Sequence, residues 1–83
     1  MKYLCQGQEN KAEILILLEL TKITREELIS AILDHLVKNF SVGHAAMLND
    51  IPQPNLTVAL NSLNKVAEIV ERFNEIRYTR DVV

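Results

Sequence analysis

Two histidines, one cysteine and a scatter of carboxylates are the residues that could do covalent or acid–base chemistry. Their spacing argues against it. A nucleophile needs a base within hydrogen-bond reach, and a third group to orient that base. Cys5, His35 and His44 stand far apart in the chain, and no second thiol is present. His35, beside Asp34, reads as a residue at the boundary of a helix face. Asp34, Glu68 and Glu71 are isolated acids that read as solvated or ion-paired. No Ser-His-Asp or Cys-His set and no glycine-rich phosphate loop is visible. A zinc site needs about four ligands, and no cluster supplies them. The expectation is no enzyme, no cofactor and no metal.

The residue types that remain are amides, hydroxyls and one cation. Gln53, Asn55, Thr57, Asn61 and Lys65 recur along one segment, where a helix would present them on or near its outer face together with Val58. Amides and hydroxyls at an exposed helix start can read base edges in the major groove. Lys65 and the free amides near Pro54 are candidate phosphate contacts, and His44 adds a further candidate. The bland alternative is a helical hairpin with a solvated polar face, which the spacing alone leaves open.

These residues need elements to hold them. Residues 1–8 read as a frayed start. A helix is expected from about Glu9 to Leu20, decided by the Glu, Lys, Ala and Leu around the apolar run Ile14-Leu15-Ile16-Leu17-Leu18. Thr24 and Glu27 have capping-box spacing, and Ile29, Ile32, Leu36 and Phe40 extend a second amphipathic helix to about Asn39. Ser41 can cap a short helix from about Val42 to Leu48, which Asn49 and Asp50 end. In Ile51-Pro52-Gln53-Pro54 both residues before proline are pushed out of helical geometry, so a last helix should begin near Pro54. Leu56, Leu60, Leu63, Val70, Phe73 and Ile76 then predict about 24 helical residues, ~36 Å long, with residues 79–83 frayed. Small side chains at Ala45 and Ala46 suit a steep helix crossing, and Ile51 should be buried in the turn. Residues 41–65 thus have the plan of a helix-turn-helix.

With 83 residues there is room for one domain, 1–83, of the all-α class. So short a chain buries only about 60–65% of its unfolded surface. The run Ile14 to Leu18 also points in nearly every direction round a helix. Ile14, Leu15, Ile16, Leu17 and Leu18 are therefore the candidate oligomer interface. The run is far short of the ~20 residues of a membrane span, and Glu9 and Glu13 before it are unlike a signal peptide. A single cysteine and no secretory start together point to the cytoplasm.

The chain resembles the PapB-type family of regulators of fimbrial adhesin operons. The resemblance runs from about Gly7 to Arg77. It is carried by the run Ile14 to Leu18 with Ile23, then Ala31, Asp34, Leu36-Val37 and Ser41, and finally Leu56, Leu60 and Leu63. It implies an all-helical helix-turn-helix protein that binds AT-rich double-stranded DNA as an oligomer and regulates fimbrial transcription. Where the family often has a basic residue, a Cys and an Arg, this chain has Val42, Ala46 and Ser62. The formal net charge is −2. From Leu36 to Ala67 the charges are Lys38, Lys65 and Asp50, whereas Glu9 to Asp34 holds six acids against three bases. The candidate DNA unit is the less acidic part. Few phosphate contacts per subunit mean weak binding per subunit, so affinity would come from linked subunits. The runner-up is a non-enzymatic interaction protein of the same fold that pairs with another regulator.

Overall fold

Local caps decide where the helices begin. In the computed structural model the backbone is described for residues 3–82 and the side chains for residues 3–78. The Asn10 side-chain oxygen accepts the amides of Ala12 at 2.8 Å and Glu13 at 3.3 Å. This cap starts helix α1 at Lys11, and α1 runs Lys11–Leu18, shorter at both ends than expected. Helix α2 spans Glu26–Leu36. The expected capping box does not form: Arg25 is the N-cap residue and no side chain caps the helix. The chain is held in a turn just upstream, where the Thr21 hydroxyl accepts the Ile23 amide at 3.1 Å. That turn lets Ile23 pack on the core and leaves Thr24 outside the helix.

Helix α2 ends before Asn39, whose φ of 71° is left-handed, a conformation asparagine tolerates better than most residues. Helix α3 is Val42–Leu48, capped by the Ser41 hydroxyl, which accepts the His44 amide at 3.2 Å. Helix α4 is Gln53–Val82. Its 30 residues exceed the expected 24, because the backbone stays helical where fraying was expected. These four helices, with no strand among the described residues, make an all-α fold. Helix α4, ~45 Å long at 1.5 Å per residue, sets the long axis of a body measuring 50 × 23 × 20 Å. Among the described residues no helix is long and apolar enough to cross a membrane.

The core joins all four helices. Ile14 and Leu18 of α1 meet Ala31, Ile32 and Leu36 of α2, Ala45 and Ala46 of α3, and Leu56, Ala59, Leu60, Leu63 and Ala67 of α4. Burial of these side chains, worth ~1.5–3 kcal/mol for each large one, is the main stabilising contribution. Ile51 in the turn is buried as expected.

Residues 3–8 are ordered rather than frayed. Leu4 is buried, and the Asn64 side-chain oxygen accepts the amides of Tyr3 at 2.9 Å and Leu4 at 3.2 Å. Further on, the amides of Gly7 and Glu9 donate to the His35 and Leu36 carbonyls at 3.1 and 3.0 Å. These are carbonyls that the end of α2 would otherwise leave unpaired. Gly7 has φ +70°, and a Cβ there would lie 2.6 Å from Asn39 Oδ1. Only glycine fits.

Candidate nucleic-acid interface

The turn between α3 and α4 aims the candidate DNA-binding face. Asp50 adopts φ 54°. Its amide donates to Met47 O at 3.2 Å, and the Ile51 amide donates to Ala46 O at 3.0 Å. This pair of bonds is a Schellman motif, which closes the end of α3 and drives Ile51 against Ala46. The Asn49 side chain adds a second lock. Its Nδ2 donates to the Ala45 carbonyl and to Asp34 Oδ2, both at 2.8 Å. Asp34 is nearly buried on α2, with Lys38 Nζ at 3.4 Å from its other oxygen. The turn is thereby tied to the helix behind it. His35 is also buried, and its Nδ1 lies 2.8 Å from the Phe40 carbonyl. A carbonyl only accepts, so Nδ1 carries the proton and donates. Both residues serve the scaffold: the expected pairing of Asp34 is observed, while His35 is inside rather than at a boundary.

On this scaffold Leu56, Leu60 and Leu63 face inward, and Asn55, Thr57, Val58, Asn61 and Lys65 are exposed. Thr57, Asn61 and Lys65 follow at four-residue steps, so they form one row. Thr57 and Asn61 line a shallow depression with Val42 of α3, so this row borders the start of α3. Gln53, four residues before Thr57, also reaches α3: a Cβ on Gly43 would lie 3.3 Å from Gln53 Oε1. His44 is exposed on α3, with its ring 4.8 Å from that of Phe40. Asn55 is set apart from the row. Two residues turn a helix by about 200°, which places Asn55 nearly opposite Gln53 and Thr57 in direction.

The phosphate-binding capacity expected near Pro54 is smaller than the sequence implies. Pro52 and Pro54 have no amide hydrogen, and the amides of Asn55 and Leu56 already donate to Pro52 O at 3.0 and 3.3 Å. Gln53 supplies the remaining amide of that turn. From Gln53 to Lys65 the only full charge is Lys65.

The candidate oligomer run divides in two. Ile14 and Leu18 belong to the chain's own core and Leu17 packs against it, whereas Leu15 is 40% and Ile16 61% exposed. A second apolar surface was not anticipated: Phe73 and Ile76, read as part of the apolar spacing of the last helix, are exposed with Ile69. The signal was present in their spacing, which drifts round the helix. No family model matches the chain, and no curated protein or solved structure does so either.

Proposed function

We propose that this chain is a DNA-binding transcriptional regulator of a fimbrial or adhesin operon. It is PapB-like, acts in the cytoplasm without a cofactor, and binds AT-rich duplex as an oligomer. The observation that carries the reading is the pair α3 and α4. A Schellman turn braced by Asn49 and Asp34 joins them, and the row Gln53, Thr57, Asn61 and Lys65 is left open to solvent beside α3. A short helix backing a longer one with an exposed polar start is the geometry that places side chains on base edges. Lys65 and the Gln53 amide would touch phosphates, with His44 adding a contact from α3. Each subunit then neutralises few phosphates, and the oligomer supplies the affinity.

The test is binding of the parent and of Lys65→Glu to one AT-rich fragment across a salt series. The parent should bind cooperatively, with affinity falling steeply as salt rises. Lys65→Glu should bind more weakly than any single amide variant of the row, because it puts a repulsion at a phosphate in every subunit. If the parent fails to bind at ~50 mM salt, where electrostatic attraction is still strong, the acidic balance prevails and the chain is an interaction protein that pairs with another regulator. If parent and variant bind alike, the DNA face lies elsewhere.

A further inference from the structure

Helix α4 runs on past the domain that supports it. Ala67 is the last buried residue among the described side chains of this helix, since none from Glu68 to Tyr78 is buried. Those residues add ~16 Å of helix with little packing to hold it, and isolated helical segments of that length are marginal in water. Yet the overhang is not polar. Ile69, Phe73 and Ile76 are 54%, 57% and 62% exposed, and at about 100° per residue they share one stripe. The same arithmetic puts Lys65, Arg72 and Arg77 within ~90° of the centre of the stripe, and Glu68, Glu71 and Glu75 beyond it. The Arg77 guanidinium lies 5.5 Å over the Phe73 ring. The stripe is apolar with a basic border.

A matching surface lies on the same chain. Between α1 and the far half of α4 runs an open groove of about 300 Å³. Ile16, Leu17 and Val70 give its lining apolar surface, and Glu9, Glu13 and Glu71 give it carboxylates. The groove is on the side of α4 turned toward the core, and the stripe is on another side, so one copy cannot fill its own groove. Two stripes placed face to face in parallel would set Arg72 against Arg77 of the second copy, which disfavours that pairing.

We infer that the α4 stripe of one copy seats in the acidic α1–α4 groove of the next, so that the chain assembles head to tail. This deepens the oligomer part of the proposed function and rests on it, but it needs no DNA. The contact joins unlike patches, and such heterologous contacts leave a groove open at one end and a stripe at the other. Growth beyond a dimer follows.

Sedimentation velocity without DNA tests this. The parent should grow past dimer as its concentration rises. Phe73→Asp removes a stripe and Ile16→Arg spoils a groove, both at exposed positions. Each variant alone should be monomeric, because each lacks one half of the contact. Mixed in equal amounts they should form a dimer and stop there, since one supplies a groove and the other a stripe. Recovery on mixing also shows that both variants are folded. If Ile16→Arg alone still dimerises while Phe73→Asp does not, stripe pairs with stripe and the inference falls, with the oligomer reading intact. A mixture that stays monomeric overturns it as well. A parent that is monomeric at its solubility limit removes the oligomer reading together with the inference.

Discussion

Asn49→Ala should destabilise the domain by far more than its half-exposed position at a turn would lead one to expect. The wild-type side chain donates twice, to Asp34 Oδ2 and to Ala45 O, each at 2.8 Å. The bond to the carboxylate is the larger contribution, because hydrogen bonds to charged groups are worth ~1.5–3 kcal/mol. The Asp34 side chain is only 10% exposed, so solvent replaces that bond poorly. Two features limit the loss. The Ala45 carbonyl keeps the Asn49 backbone amide at 3.3 Å, and Asp34 keeps Lys38 at 3.4 Å. The Lys38 side chain is 66% exposed, so that pair adds little. Alanine also suits the backbone, since Asn49 has an ordinary φ of −103°. The net cost should be ~2 kcal/mol, which for so small a domain lowers the melting temperature by roughly 8–16 °C. Circular dichroism melts and urea titrations of the parent, Asn49→Ala, Asp34→Ala and the double variant close a mutant cycle. A coupling of ~1.5 kcal/mol is expected between contacting charged partners. A coupling below ~0.5 kcal/mol, the scatter of independent sites, would refute the claim that this bond braces the turn.

Leu60→Asp should unfold the domain, because Leu60 is buried where α4 crosses the core. An unpaired buried carboxylate costs several kcal/mol, comparable to the whole stability of a small domain. Thr57→Ala, one turn earlier on the exposed row, should shift stability by under ~0.5 kcal/mol, and equal melting temperatures for Leu60→Asp and the parent would show the helix faces to be misassigned. Gly7→Ala should cost more than ~1 kcal/mol, since the added Cβ meets Asn39 at a left-handed φ; an unchanged urea midpoint would mean that residues 3–8 do not dock. Asn10→Ala should cost ~1 kcal/mol by removing the cap of α1, and no change by the same titration would place the helix start elsewhere.

Helix α3 and its turn were legible in the sequence because every signal that makes them is local. Ser41 caps three residues ahead, Asn49 and Asp50 tolerate the turn, and Ile51 follows at the spacing a Schellman motif requires. The inward face of the first half of α4, Leu56 to Leu63, was legible for the same reason. Over the whole helix the same rule failed. Counting Ala67 between Leu63 and Val70, the steps from Leu56 to Ile76 average fewer than 3.6 residues, and 20 residues at about 100° turn the chain through five circles and a further 200°. A stripe that begins in the core therefore ends on the far side, which is why Phe73 and Ile76 are exposed. Three- and four-residue spacing tests neighbours, not the accumulated drift. Other features lay beyond local reasoning altogether. The start of the chain is held by Asn64, about 60 residues away, and no pattern within residues 3–8 could announce that partner. In α1 the apolar residues surround the helix, so hydrophobicity alone names no inside. Ile14 and Leu18 are buried and Ile16 is exposed because of where α2 and α4 lie. Sequence determined the helices whose ends carry their own caps and turns; tertiary contact decided which faces they bury, because burial depends on neighbours that the chain brings from far away.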